Sequence, residues 1–220
     1  MIVVSTQRRD LVEAAYVLSR LGLVTAYGHV SARAETSMLI TPAADLASVA
    51  EPAVVEVPLA ASSLPPAAPA EAWAHLALYR ARPDAGSIVR AQPASAFAAA
   101  ATTTSLTPLH GQAAWLGESV PVHDSAHLLR SAELAERAAR ALPTGEALLL
   151  RGNGALTLGA TPGVAVARMW LLAAACDAFV ATRATGRITP LTVEEIASWR
   201  AVGDELLPRL WRHLRERSLA

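Results

Sequence analysis

Apolar positions recur with a helical period at the start of the chain. Leu11, Ala14, Ala15, Leu18 and Leu21 share one face, and Gly22 supplies the stop. The pattern then shortens. "VTAYGHVSAR" leading into "SMLITP" reads as two short strands or strand edges, and "AVVEVPLA" alternates enough for a third. The Pro/Ser-rich "ASSLPPAAPA" is a loop, and "EAWAHLALYRAR" is a helix that Pro83 closes. "GSIVRAQ" predicts the next strand, and "PASAFAAAATTT" a short helix with Pro93 near its first turn. "SVPVHD" reads as an edge strand and "SAHLLRSAELAERAARAL" as a long helix. "ALLLRGNGALTLG" predicts two buried strands around a Gly-Asn-Gly turn. "TPGVAVARMWLLAAACDAFVATRATG" predicts a long helix, with Pro162 near its start and Gly186 past its end. "TVEEIASWRAVGDELLPRLWRHLRER" reads as one last helix, kinked at Pro208.

No internal repeat or heptad run interrupts this order. It describes an α/β fold in which helices flank a mostly antiparallel sheet. One domain is expected over residues 1–220, with a core at about 8–186 and a C-terminal helical tail at 190–218. A length of 220 residues suits that reading.

Composition narrows the partners. Hydrophobic residues make up 53% of the chain, much of that alanine, which favours close helix packing. Only 17% of residues are charged and the net charge is +0, so no basic field exists for nucleic acid or for an anionic membrane. Low net charge is tolerable where an oligomer buries much of the surface. Cys176, the one cysteine, lies in the apolar run "WLLAAACDAF" and reads as a small core residue rather than a nucleophile. The first residues, "MIVVSTQRRD", contain no apolar signal-peptide core. The most apolar stretch, 163–182, is broken by Arg168 and Asp177 and reads as a packed helix rather than a membrane span. A soluble cytoplasmic protein is expected.

The basic side chains carry one clear exclusion. All 19 are arginine. Schiff-base chemistry needs a deprotonatable side-chain amine, so lysine-based aldol chemistry and a lysine-anchored pyridoxal phosphate are ruled out. Arginine serves only as a fixed charge and a hydrogen-bond fork.

Two strand ends carry the candidate chemistry. "SIVRAQP" and "LLRGNG" each break at a turn, leaving Arg90, Gln92 and Asn153 there. Open α/β sheets hold their ligands at strand ends.

The ordered set "LGLVTAYGHVSAR", "LITP", "EAWAHLALYRARPD", "SIVRAQP", "PLHG", "VPVHD" and "LLLRGNGALTLG" resembles the class II aldolase/adducin family over roughly residues 8–186. The resemblance implies an α/β/α sandwich around a nine-stranded sheet, commonly a homotetramer with active sites between subunits. It also implies a small-molecule substrate, because the family includes sugar-phosphate aldolases, dehydratases, decarboxylases and epimerases. Metal-dependent members carry a His-x-His pair where this chain has Arg90-Ala91-Gln92. They carry a further histidine in a "HG" turn that here reads Asn153-Gly154. Residues i and i+2 of a strand share a side and can grip one ion, but arginine does not ligate and amide oxygens ligate weakly. Neither a metal nor any other cofactor is expected at this site. The "SSE" phosphate turn of phosphosugar aldolases reads Pro69-Ala70-Glu71, which lacks both hydroxyls, so a carboxylated substrate is more credible than a phosphosugar.

The resemblance sets Glu71 at the family's acid/base position, where burial would raise its pKa toward general-base use; the plain alternative is a first-turn glutamate favoured by the helix dipole. Arg90 is either a cation replacing the ion's electrostatic role or a plug paired with Glu71. Gln92 and Asn153 either orient a carbonyl or bond each other. His29 and Ser31, in "GHVSAR", and Thr41, in "LITP", are expected to contact substrate. His110 and His123 lie on loops from which they would reach the pocket of a neighbouring subunit. His75 reads as a structural hydrogen-bonder four residues after Glu71, and His127 and His213 as helix-surface residues. A substitute metal site of Glu71, His75 and His123 stays open as a minor alternative. Trp199 and Trp211 are expected to pack the tail onto the body or a neighbouring subunit.

These readings converge on a metal-independent enzyme of lyase or isomerase type. Glu71, Arg90 and Asn153 would act on a small carboxylated or polyketide-like metabolite, by aldol cleavage, decarboxylation, dehydration or cyclisation. Two alternatives stand beside it: a non-catalytic, adducin-like binding or assembly module, and a metal-dependent aldolase using substitute ligands.

Overall fold

The structure, a computed structural model, describes residues 2–183 and 185–219, with side chains described from residue 6 onward. The expected domain over 1–220 thus includes positions 1, 184 and 220, which lie outside the described residues.

The strands are β1 (His29–Arg33), β2 (Ser37–Ile40), β3 (Val55–Pro58), β4 (Ser87–Ala91), β5 (Ser105–Leu106), β6 (Val120–His123), β7 (Ala147–Leu150) and β8 (Gly154–Gly159). Among the described residues they form one eight-stranded sheet, one strand fewer than the resemblance implied, in the order β3-β2-β1-β4-β8-β7-β6-β5. Every pairing is antiparallel except β6 with β7, which is parallel. β4 and β8, at the centre, are buried at every position, which explains why they are mostly apolar around the buried polar Ser87, Arg90 and Thr157.

The helices are α1 (Ile2–Arg20), α2 (Ala72–Ala81), α3 (Ala94–Thr102), α4 (Ala132–Arg140), α5 (Pro162–Arg183), α6 (Val193–Arg200) and α7 (Gly203–Leu219). They cover both faces of the sheet, giving an α/β/α sandwich. α1, α3, α5 and α7 enclose the larger core with Val89, Leu149 and Ala155. α2 and α4 enclose the smaller one with Ile88, Leu148 and Leu156. α5 is long and apolar enough, by length and composition, to cross a membrane. Here it is the central core helix, packed against β4, β8, α1, α3 and α7.

Three expectations are corrected. The long helix read from residue 125 begins only at Ala132. Ser131 caps it, its hydroxyl accepting from the Leu134 amide at 3.3 Å. Residues 124–130 stay irregular, and Leu129 inserts into the α2/α4 core. The strand read as an edge, β6, is interior by one step, because the two-residue β5 closes the sheet beyond it. The tail helix is broken at 201–202, not at Pro208, which lies inside α7. The break has a partner in the body: Trp115 Nε1 donates to the Trp199 carbonyl at 2.7 Å, and Gly203 admits the same indole, 3.0 Å from where its Cβ would stand.

Candidate functional site

The site is built on the α2/α4 face, at the ends of the central strands. Register sets its floor. His29 of β1 lies opposite Arg90 of β4, and Arg90 lies opposite Leu156 of β8, so all three side chains leave the sheet on one side. Asn153 is brought alongside by the β7–β8 hairpin. Gly152 and Gly154 adopt φ of 69° and 82°, a region costly for other residues. A Cβ at Gly154 would stand 2.2 Å from the Ala91 carbonyl oxygen, so this turn closes tightly on β4.

Arg90 is 3% exposed and held on both sides. Its Nη2 donates to Asn153 Oδ1 at 2.5 Å. In the amide orientation that satisfies both its ends, Gln92 accepts from Arg90 Nη1 at 2.7 Å and donates to the Tyr27 carbonyl at 2.6 Å. Burial lowers the pKa of Arg90, against the opposing pull of Glu71. A guanidinium starts so high that it remains a cation. Arg90 Nε and Asn153 Nδ2 are buried without a partner.

Glu71 stands at the N-terminus of α2 but does not cap it. Arg130 Nε donates to its Oε1 at 2.8 Å, while its Oε2 lies 4.0 Å from His29 Nε2, too far for a hydrogen bond. Burial pushes the Glu71 pKa up, but the Arg130 hydrogen bond, its own amide and the charges of Arg130 and Arg90 together hold it below the ordinary value. Burial, reinforced by the Arg90 charge and opposed by Glu71, lowers His29 to about 4, so its ring is neutral at pH 7.

A cavity of about 430 Å³ opens above these groups. Glu71, Arg90, Gln92, Asn153 and Arg130 supply its polar wall. Tyr27, Phe97 and Leu128, among the exposed large apolar side chains of the described residues, supply much of the rest.

The sequence model of the class II aldolase and adducin N-terminal domain family matches residues 9–180. The chain belongs to this family. L-fuculose-1-phosphate aldolase from Thermus thermophilus is 27% identical, with a TM-score of 0.74 over 83% of this chain and 97% of that one. A second solved L-fuculose 1-phosphate aldolase is 23% identical, with a TM-score of 0.82 over 90% and 95%. YgbL from Escherichia coli, a candidate aldolase/epimerase/decarboxylase, is 22% identical, with a TM-score of 0.78 over 90% and 99%. No curated protein matches the chain.

Within this class II aldolase fold, Glu71, Arg90, Gln92 and Asn153 come together as read from the sequence, with His29 directly behind Glu71. The alternative in which Arg90 plugs the pocket and pairs with Glu71 is not the arrangement found, since Arg130 holds the carboxylate. The expected upward shift of Glu71 is reversed for the same reason. Ser31, Thr41, His110 and His123 do not line the cavity of this chain. The Ser31 hydroxyl is buried against His75 Nδ1 at 2.7 Å and the Tyr79 hydroxyl at 2.9 Å. Thr41 Oγ1 accepts from the Val30 amide at 3.1 Å. His110 precedes the 3-10 turn at Gly111–Leu116, and His123 ends β6, where its carbonyl accepts from the Arg151 amide at 3.2 Å.

Sequence reasoning missed Arg130 and the apolar wall. Reading 125–142 as one helix placed Arg130 on an ordinary helix surface. The available signal was Ser131, a capping residue that starts the helix one position later.

The donor set does not fit the divalent ion of metal-dependent members. The amide oxygens of Asn153 and Gln92 already face a guanidinium, and Arg90 would repel a cation by several kcal/mol at short range, on the order of Coulomb's law with strong screening. The substitute trio also fails to assemble. His75 is turned to Ser31, and among the described residues no three of His, Cys, Asp and Glu are grouped to hold an ion.

Proposed function

We propose that this chain is a metal-independent enzyme of lyase or isomerase type, removing a proton next to a carbonyl group of a small carboxylated molecule. The observation that carries this reading is the clamped guanidinium of Arg90, fixed by Asn153 and Gln92 beside the Glu71 carboxylate. Glu71 Oε2 takes the proton as the C–H bond breaks. The electron pair moves onto the carbonyl oxygen, which becomes an enolate. Arg90, held in place by Asn153 and Gln92, stabilises that oxyanion from a preset position. The enolate is then reprotonated at carbon, expels a β-oxygen leaving group, or attacks a second carbonyl of the same molecule to close a ring. Active units assembled as a homo-oligomer, up to a tetramer, belong to the same proposal and are checked by light scattering.

The test uses protein treated with a strong chelator and a panel of 2-oxo acids in deuterium oxide, followed by proton NMR. Loss of the signal beside the carbonyl is expected with the parent and not with Glu71→Gln, while both retain the same folded spectrum. Equal exchange by the two proteins, or exchange only after a metal is restored, overturns the reading.

The Glu71–Arg130 pair favours a second reading, a non-catalytic binding module in which the carboxylate serves only structure. The open cavity lined by Glu71, Arg90, Gln92 and Asn153 speaks against it, because a purely structural pair has no need of a polar cleft beside it. A panel without any exchange, combined with unchanged ligand binding by Glu71→Gln, would select it.

A further inference from the structure

The polar atoms of the pocket are unevenly used. The side-chain oxygens of Asn153 and Gln92 are both turned to Arg90, and Glu71 Oε1 is turned to Arg130. What remains along the wall is one carboxylate oxygen, Glu71 Oε2, against the clamped cation of Arg90, with Asn153 Nδ2 and Arg90 Nε buried behind it. Arg130, whose side chain is 56% exposed, brings further donors at the mouth. Opposite stand Phe97 and Leu128, 38% and 48% exposed, with Tyr27 at 71%. A sugar hydroxyl needs acceptors as well as donors and finds few here.

We propose that the site takes a carboxylate carried on a flat apolar body, an aryl or similarly unsaturated acid, with its charged end between Arg90 and Arg130 and its ring against Phe97 and Leu128. This deepens the reading of the site as one for a small carboxylated molecule and rests on it. An aromatic acid of about ten to fifteen heavy atoms fits a cavity of about 430 Å³, within the range of roughly 300–1,000 Å³ common for ligand sites. The wall explains itself on this account, since large apolar side chains gathered at a pocket mouth mark a surface that is covered when occupied. The carboxylate also competes with Glu71 for Arg130. Its arrival draws the guanidinium away and leaves Glu71 with burial as the main influence on its proton, the state a general base requires.

The test is calorimetric titration with benzoate, benzamide, acetate and inorganic phosphate. None of these has the enolisable ketone of the exchange assay, so binding is read apart from chemistry. Benzoate is expected to bind at least about tenfold more tightly than each of the others, as charge and ring are both used. Arg130→Gln should weaken benzoate by about tenfold. Phe97→Ala and Leu128→Ala should weaken benzoate several-fold while leaving acetate unchanged; both positions are partly exposed, and circular dichroism confirms their folding. Benzamide binding as well as benzoate, phosphate binding more tightly, or indifference to Arg130→Gln overturns the inference. Proton exchange with no benzoate binding would sink this inference and spare the reaction class. Benzoate binding with exchange unaffected by Glu71→Gln would do the reverse.

Discussion

Arg130 Nε donates to Glu71 Oε1 at 2.8 Å across 59 positions of sequence, joining the irregular segment before α4 to the residue that precedes α2. The pair is asymmetric: the Glu71 side chain is 10% exposed and that of Arg130 56%. The carboxylate is therefore fixed by packing, while its cation is free to leave at little cost.

Arg130→Gln should raise the pKa of Glu71 above its ordinary value, since burial pushes it up and the pair pulls it down. In the parent, the pair stabilises the fold at pH values above the unfolded carboxyl pKa of about 4.3, and this is lost as pH falls through the lower folded value. In the variant, the acid-side stability loss from Glu71 disappears. Carboxyl carbon NMR through a pH titration measures it. A Glu71 resonance titrating at the same pH in both proteins would show that Arg130 does not control the carboxylate.

Arg90→Ala should cost about 2–4 kcal/mol, because it opens a buried hole and strands the amides of Asn153 and Gln92. Arg90→Met fills most of that volume and removes the desolvated charge, so its cost should be lower by about 1–2 kcal/mol. Both should lose proton exchange entirely. Urea denaturation gives the stabilities. If Met is as damaging as Ala, the cation itself, rather than the space it fills, supports this part of the fold.

His29 and His75 predict a dependence on mild acid. Both are buried and neutral. Burial, then the Arg90 charge, puts His29 at about 4, and burial, then the neighbouring His29, lowers His75 well below its usual value. The unfolded chain takes up these protons first, near pH 6.5, so the folded state loses stability as pH falls below that point, down to the folded values. His29 should contribute about 2 kcal/mol of loss between pH 6.5 and 5, and His75 adds to it in the same direction. Thermal unfolding across this range should take up protons, and His29→Gln should reduce that uptake by about one. A melting temperature flat from pH 7 to 5 would exclude neutral, buried imidazoles here.

The tail rests on two glycines. A Cβ at Gly111 would stand 1.8 Å from the Trp199 ring, and one at Gly163 would stand 2.5 Å from the Trp211 ring. Gly111→Ala and Gly163→Ala should each cost about 1–3 kcal/mol and increase tryptophan exposure to a fluorescence quencher. Unchanged quenching would mean that the indoles shift without α6 or α7 leaving the body.

Much of the fold was legible in the chain because burial leaves a local imprint. The apolar runs of "SIVRA" and "ALLL" became β4 and β7, buried at every position. Gly22 and Gly186 mark helix ends with φ of 69°, and the ordered motifs identified the family whose model covers 9–180. The site was legible as far as the strand ends reach, with Arg90, Gln92 and Asn153 converging as read. Glu71 lines the same cavity, but its partner Arg130 and the downward direction of its shift were not read from the sequence.

Periodicity reports which residues face a core, and motif order reports the path of the chain, so the sequence by itself determined the layered sheet and the absence of imidazole at positions 90, 92 and 153. It carries no record of what a long side chain reaches. The tertiary structure alone decided that Arg130 crosses to Glu71, that Ser31 turns to His75 and Tyr79, and that Phe97 and Leu128 meet over the cavity. It also decided that Trp115 takes the Trp199 carbonyl where the tail helix breaks. Each is a contact between segments far apart in the chain, set by packing distances of a few ångströms that no local pattern encodes.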